Sequence, residues 1–146
     1  MMFCTRNLTV VAALFVGLLV GWSSATLRAQ TERASMVYEL RTYTTLDGRL
    51  PALNARFRDH TVKLFEKHGM TNVVYGTPID NEGKAIDNKL VYLLAHKSQE
   101  AARASFAAFG KDPEWVAARE ASEKDGKIVA KVESQFLVPT DYSPMK

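Results

Sequence analysis

The order of strand-like and helix-like segments constrains this chain more than any other feature. Two segments have helical spacing, and Asp112-Pro113 interrupts the second, because this pair favours a helix start. Four segments have the alternation or the apolar character of strands: residues 37–44, 71–77, 89–96 and 127–138. The order strand, helix, strand, strand, helix, strand predicts an α+β, ferredoxin-like βαββαβ fold. Its second helix is broken, and the helices lie on one face of an antiparallel sheet.

The first strand, YELRTYT, carries polar groups on both of its alternating rows. We place Tyr38 and Leu40 under the helices, so Glu39, Arg41 and Tyr43 are expected on the uncovered face. An aromatic ring beside two opposite charges does not suit a face that meets only water. The expected cover is a second copy of the sheet. This gives a two-fold homodimer, a dimeric α/β barrel, with an interface of at least roughly 1,600 Å².

The first 29 residues have the layout of a secretory signal peptide. A short basic start precedes an apolar run over residues 8–22, and small residues follow. We expect cleavage after Ala25 or Ala29. A flexible arm over residues 30–36 and one domain over residues 37–146 form the rest. The protein is then exported, periplasmic or secreted, and it stays at a membrane only if the signal is not cleaved.

Charge and cysteine content exclude several classes of function. The only charges in residues 1–30 are Arg6 and Arg28, so the net charge falls from +3 to +1 without this segment. Such a balance, without a clustered basic stripe, does not indicate nucleic-acid binding. The one cysteine, Cys4, lies in the signal peptide, which leaves no thiol nucleophile and no disulfide in the mature chain.

The helical period of residues 50–68 points to one histidine as a candidate for chemistry. His60 lies at the same helical angle as Phe57 and Leu64, so we expect it to face inward, where neighbours can tune its proton affinity. The alternative is a core histidine satisfied by a backbone carbonyl or a tyrosine hydroxyl. Arg56 is expected on the opposite side of the helix.

Glu39 and Arg41 are the candidates for binding a polar ligand. They lie two residues apart on one strand face, about 7 Å along the strand, where long side chains can meet. Arg41 offers a fork for a carboxylate or a phosphate. The alternative is a buried ion pair that fixes the register of a dimer.

Four aromatic residues are candidates for lining a pocket: Tyr43, Tyr75, Tyr92 and Trp115. The tyrosines would supply hydroxyl groups to a ligand, and the alternative for all four is packing in the core. Trp115 would then anchor the short helix that follows Asp112.

No metal site and no cofactor are predicted. His60 and His68 are separated by about 12 Å along a helix, which is too far to share one ion. The sequence also has no phosphate loop, no dinucleotide fingerprint and no nucleophile elbow.

Four phrases in this order resemble the NIPSNAP family: YELRTYT, EKHG, DPEW and FLVPTDYSP. The resemblance covers nearly all of residues 36–145 and implies a ferredoxin-like domain of the dimeric α/β barrel type. Related barrels include cofactor-independent monooxygenases and haem-handling proteins. The resemblance implies no settled enzymatic activity. Animal members are mitochondrial, whereas this chain has a secretory leader and one domain, so their roles are not carried over.

The function predicted from the sequence is that of an exported NIPSNAP-domain homodimer. It binds a small apolar or aromatic molecule or a protein partner and has no catalysis of its own, because no catalytic constellation is recognisable. The alternative is a cofactor-independent oxygenase or isomerase that uses His60 with Arg41 or Tyr43.

Overall fold

The computed structural model describes residues 36–145, so the predicted signal peptide and nearly all of the predicted arm lie outside the described residues. The strands are β1 (Val37–Thr45), β2 (Thr71–Gly76), β3 (Lys89–His96) and β4 (Val129–Leu137). Helix α1 covers residues 50–67, α2 is Gln99–Phe109 and α3 is Pro113–Ser122. The prediction of an α+β fold with a broken second helix is confirmed.

The four strands form one antiparallel sheet in the order β2-β3-β1-β4. β1 is an inner strand that pairs with β3 from Val37–His96 to Thr44–Lys89 and with β4 on its other side. A register shift between Thr44 and Thr45 ends the regular pairing with β4. The strand order is the one that a ferredoxin-like fold requires.

Two side-chain caps explain why the second helical region is broken. The Ser98 hydroxyl accepts a hydrogen bond from the backbone N–H of Ala101 at 3.1 Å and so starts α2. The Asp112 carboxylate accepts one from the backbone N–H of Glu114 at 2.9 Å and starts α3, with Pro113 in the first turn. α2 and α3 are therefore two separately capped helices.

Helix α1 contains a π-helical turn in its middle part. The turn is Phe57–Thr61, between the α-helical parts Leu50–Arg56 and Val62–Lys67. The backbone N–H of Val62 bonds to the carbonyl of Phe57, five residues earlier. The hydroxyl of Thr61 donates to the carbonyl of Arg56 at 3.1 Å. The extra residue in this turn rotates the rest of the helix relative to its first half.

The core lies between the helices and one face of the sheet. Apolar residues of α1, including Leu53, Phe57 and Phe65, pack over Tyr92 and Leu94 of β3. Phe109 of α2 closes this core on one side through its contact with the Phe65 ring. The buried core residues are Leu50, Leu53, Phe57, Leu64, Phe65, Met70, Leu90, Tyr92, Leu94, Phe109 and Ile128.

The predicted faces of β1 are wrong: Glu39, Arg41 and Tyr43 lie on the helix side. The Tyr43 ring contacts Phe57 of α1, and the Arg41 guanidinium lies over Phe106 of α2. The charged row is tolerated under the helices because Glu39 and Arg41 neutralise each other there.

Tyr38, Leu40, Thr42 and Thr44 therefore form part of the opposite face, which we call the uncovered face because the described helices pack on the other side. Its remaining members follow from the strand pairing and include Val91 and Leu93 of β3 and Leu137 of β4. Leu137 is 40% exposed.

Within residues 36–145, no helix combines the length and the hydropathy needed to span a membrane.

Candidate functional site

A buried polar network centred on Glu39 lies on the helix side of the sheet. Its Oε1 atom accepts hydrogen bonds from Arg41 Nη1 at 2.6 Å and from the Ser134 hydroxyl at 2.5 Å. Its Oε2 atom lies 3.2 Å from Nε2 of His96. The Glu39 side chain is only 3% exposed, so these three partners replace water around a buried carboxylate.

The strand register brings these four residues together from three strands. Glu39 and Arg41 share a row on β1, and Ser134 is the direct β4 partner of Arg41. His96 lies two residues beyond Leu94, the direct β3 partner of Glu39, and so occupies the same face of the sheet. The predicted contact between Glu39 and Arg41 is present, whereas the sequence interpretation did not include His96 or Ser134.

Aromatic rings surround the network. The centre of the Arg41 guanidinium lies 4.4 Å from the Phe106 ring and 5.8 Å from the Tyr43 ring. The His96 ring lies 6.2 Å from Phe106 of α2 and 6.4 Å from Phe136 of β4. The polar groups are thus held in a largely apolar environment that suits a planar ligand.

The three candidate tyrosines also converge on the helix side. The ring of Tyr92 stacks on Tyr75 at 5.2 Å and meets Tyr43 at 5.5 Å, and Phe57 contacts all three rings. The Tyr75 hydroxyl donates to the side-chain oxygen of Asn72. Tyr43 and Tyr92 lie next to Arg41, whereas Tyr75 is farther along the sheet on β2.

Three buried polar atoms of this region have no hydrogen-bond partner among residues 36–145: Arg41 Nε, Tyr92 Oη and His96 Nδ1. A buried polar atom without a partner costs about 1–3 kcal/mol. All three atoms lie on the helix side of the sheet, which also carries the hydrogen-bonded Glu39 carboxylate.

The ionisation states follow from burial and from these contacts. Burial works against the charged form of Glu39, but hydrogen bonds from His96 and Ser134 and the charge of Arg41 outweigh it, so the pKa of Glu39 is lowered. Burial and the nearby Tyr43 hydroxyl raise the pKa of Tyr92 well above its ordinary value. At neutral pH Glu39 is therefore a carboxylate and Tyr92 a neutral phenol.

On the helix side of the sheet, β4 carries exposed residues beside the buried network. Val132, the β4 partner of Tyr43, is 43% exposed on this side. Ser134 is exposed and also donates to Glu39, so the buried carboxylate lies directly beneath the surface.

The prediction that His60 faces inward is wrong. His60 is exposed, and Thr61, only 1% exposed, occupies the inward position. Phe57, Thr61 and Leu64 keep the four- and three-residue steps of one helix face, and His60 lies at the edge of that face beside Thr61. A helical period of 3.6 residues does not reveal the π-helical turn of α1. A buried threonine whose hydroxyl bonds to the carbonyl five residues earlier is consistent with one.

Arg56 and Trp115 connect α1 with α3 and are not part of the Glu39 network. Arg56 is 4% exposed, which contradicts the expectation that it faces solvent. Its guanidinium bonds to Ser122 and Glu123 at 3.2 Å and lies 5.3 Å from the Trp115 ring. Trp115 packs on Phe109 at 4.4 Å, so its contacts are those of a helix anchor.

Residues 36–145 contain no group of three or more His, Cys, Asp or Glu side chains arranged to hold a metal ion.

Comparison with known proteins identifies a family. A family model described as NIPSNAP matches residues 38–144. A search of curated proteins gives no match.

Solved structures with a similar fold include two NIPSNAP-type proteins. A NIPSNAP family protein of unknown function from Agrobacterium tumefaciens is 23% identical, with a TM-score of 0.63 over 77% of this chain and 96% of its own. An uncharacterized NIPSNAP-like domain protein from Burkholderia xenovorans is 17% identical, with a TM-score of 0.63 over 76% of this chain and 90% of its own.

A third similar structure is that of SnoaB, a cofactor-independent oxygenase from Streptomyces nogalater. It is 15% identical, with a TM-score of 0.50 over 76% of this chain and 99% of its own. At this identity the likeness concerns the fold alone.

Proposed function

This chain belongs to the NIPSNAP family, and we propose that it is an exported homodimer that binds a small, partly apolar molecule carrying an acidic oxygen. The ligand lies on the helix side of the sheet, beside the network of Glu39, Arg41, Ser134 and His96. The observation that carries this proposal is the set of three buried polar atoms without a partner: Arg41 Nε, Tyr92 Oη and His96 Nδ1.

The chemistry of the surrounding groups defines the ligand class. Arg41 and Tyr92 can donate hydrogen bonds to an oxygen atom, and a carboxylate or an enolate accepts both most strongly. The rings of Phe106 and Phe136 offer flat apolar surfaces for the rest of the molecule. An aromatic carboxylic acid has both features.

The homodimer is proposed from the uncovered face. Leu40 pairs with Leu93 at the middle of this face, and Leu137 lies beside Tyr38. This apolar centre is bordered by the polar β4 residues Gln135, Glu133 and Lys131, and a second copy of the same face would cover it with matching shape and two-fold symmetry. The export of the protein is proposed from the signal-peptide pattern of residues 1–29 alone.

The structure does not favour an enzyme that uses His60 with Arg41 or Tyr43. The His60 side chain is exposed on α1, whereas Arg41 and Tyr43 lie beneath the helices, so the three do not form one site.

Two measurements test ligand binding. Native mass spectrometry of the mature protein from its own host should show a retained small molecule together with the dimer. Calorimetric titration with cinnamate should then show binding to the wild type that the uncharged cinnamamide does not reproduce. Arg41→Lys keeps the charge beside Glu39 but loses the fork, and we expect at least a tenfold weaker affinity for cinnamate.

The matched control is Arg58→Lys, because Arg58 is exposed on α1 and does not take part in the network. It should bind cinnamate as the wild type does. Equal affinity in the Arg41 variant and the wild type, or no binding of any carboxylate by a correctly folded protein, would refute the proposal.

A further inference from the structure

We propose that His96, oriented by Glu39, is a general base that removes a proton from the carbon next to a carbonyl group of the bound ligand. The substrate class is an aryl-substituted 2-oxo acid, which has a ring, a carboxylate and an acidic C–H bond. This inference rests on the proposed function, because it requires a ligand at the same site. It adds a chemical step to what would otherwise be a binding protein.

The contact between His96 and Glu39 determines which nitrogen is available. An ionised carboxylate can only accept hydrogen bonds, so Nε2 of the neutral ring carries the proton that it donates to Oε2 at 3.2 Å. The lone pair of the neutral imidazole is then on Nδ1. That atom is buried and has no partner in the described part of the chain, so it is free to accept a proton from a ligand.

The arrangement of histidine and carboxylate is one that supports proton transfer. The Glu39 carboxylate holds the ring in a fixed tautomer and stabilises the imidazolium that forms when Nδ1 takes a proton. Arg41, bonded to the other oxygen of the same carboxylate at 2.6 Å, places a permanent positive charge nearby. Glu39 is thus a positioning residue in this scheme, and His96 is the group that meets the substrate.

The neighbours of His96 suit an aryl substrate. From α2 and β4 the rings of Phe106 and Phe136 face it, and both are neutral. The charged groups of the network are Glu39 and Arg41, both on β1. The histidine ring is 2% exposed, so a substrate that reached it over Ser134 would be separated from bulk water.

The chemical step needs no further reactant. The C–H bond next to the ketone breaks, its proton moves to Nδ1 of His96, and its electron pair forms the carbon–carbon double bond of an enolate. The negative charge on the former carbonyl oxygen is stabilised by the positive charge of Arg41, which shares the Glu39 carboxylate with His96. Return of the proton to carbon restores the ketone, and return to oxygen gives the enol, so the net reaction is proton exchange or tautomerisation.

Loss of the benzylic proton signal of phenylpyruvate in D₂O, followed by NMR in dilute buffer, tests this step. We expect the wild type to exchange this proton faster than buffer alone, and His96→Gln to lower the enzymatic rate by about a hundredfold or more. His60→Gln is the matched control, because this exposed histidine lies outside the site, and it should exchange at the wild-type rate.

A second variant, Glu39→Gln, distinguishes a positioning role of Glu39 from a purely structural one. It also tests the proposal if His96→Gln does not fold. Glu39→Gln keeps a hydrogen-bond acceptor for Nε2 but removes the negative charge. We expect a lower maximal exchange rate and an acid limb of the pH–rate profile that moves to lower pH, because a neutral amide stabilises an imidazolium less than a carboxylate does. A residue that only supports the fold would leave the profile in place.

The outcomes separate the two proposals. A wild type that binds phenylpyruvate but exchanges its proton no faster than buffer would refute the base and leave the binding function intact. Wild-type exchange rates in a folded His96→Gln would do the same. A folded wild type that binds neither phenylpyruvate nor cinnamate would refute both proposals.

Discussion

The hydroxyl of Tyr92 is buried beside Tyr43 and Arg41 and has no hydrogen-bond partner among residues 36–145. Its aromatic ring is at the centre of the core, in contact with Phe57 and Phe65. The ring therefore stabilises the fold. The buried hydroxyl group has lost its hydrogen bonds to water, and no contact in the described residues compensates for this loss.

Replacing this tyrosine with phenylalanine should separate stability from binding. We expect Tyr92→Phe to leave the free energy of unfolding unchanged or to raise it by about 1 kcal/mol, because the substitution removes only the unpaired hydroxyl. Urea denaturation at pH 7 measures this, and cinnamate affinity should fall in the same variant. Tyr75→Phe is the control: it breaks the bond to Asn72 and should lower stability by about 1 kcal/mol. A Tyr92→Phe variant as destabilised as Tyr75→Phe would contradict this.

Contacts within the site could be predicted from the sequence where both residues lie on one strand. The contact of Glu39 with Arg41 follows from a spacing of two in an extended segment. His96 was not found, because its proximity to Glu39 depends on β3 lying next to β1 in a particular register. A signal did exist: His96 shares the parity of Tyr92 along an apolar strand, which places both on one face.

At the scale of secondary-structure elements, the start of α3 is the most strongly charged junction. Asp112 Oδ2 lies 2.9 Å from Lys67 Nζ and 2.7 Å from His68 Nε2, so the end of α1 is tied to the cap of α3. Hydrogen bonds from Lys67 and His68 hold the pKa of Asp112 well below its ordinary value of 3.8. Folding therefore favours the ionised form of this carboxyl group.

The sign of the resulting pH dependence follows directly. Because the folded pKa of Asp112 is lowered, its contribution to stability is complete above pH 3.8 and is lost progressively as the pH falls below that value. Asp112→Asn keeps a good helix cap but cannot ionise, so its urea midpoint should fall less than that of the wild type between pH 7 and pH 3. The variant retains the acid sensitivity due to Glu39, whose pKa is also lowered.

Asp59→Asn serves as the control, because Asp59 is exposed on α1, and its urea midpoint should follow the wild-type curve between the same two pH values. If the urea midpoints of Asp112→Asn and the wild type fall in parallel with pH, the ionisation of Asp112 does not contribute to the pH dependence of stability as proposed.

Elements were predicted well where local chemistry marks their ends. The helix start at Asp112 was identified from residue type and position, and this cap makes the expected backbone bond. The π-helical turn was not predicted, because a pattern of period 3.6 contains no sign of an added residue.

For the whole molecule, the fold class followed from the order of segments, but the faces of the sheet did not. Whether the charged row of β1 meets helices or solvent depends on partners on other strands, here His96 and Ser134. A polar row can be the inner one when its charges are paired and hydrogen-bonded. The uncovered face is thus formed by Leu40, Leu93 and their neighbours, with polar Gln135 and Glu133 of β4 beside them.

Sedimentation velocity of the mature protein at micromolar concentration should show a dimer. Leu93→Glu introduces a charge at the middle of the uncovered face and should shift the protein to a folded monomer, because a buried unpaired carboxylate would oppose association. Ala108→Glu, on the exposed side of α2, should remain dimeric. A wild type that sediments as a well-folded monomer would rule out the proposed assembly.

The strand order has a consequence for synthesis on the ribosome. β1 is the first strand to emerge, yet both of its partners, β3 and β4, are encoded later, and β4 is the last element of the sheet. The nascent polypeptide therefore holds this inner strand without a complete set of partners until β4 has been synthesised. Its pairing joins distant parts of the chain, so the native sheet assembles late rather than growing from the amino terminus.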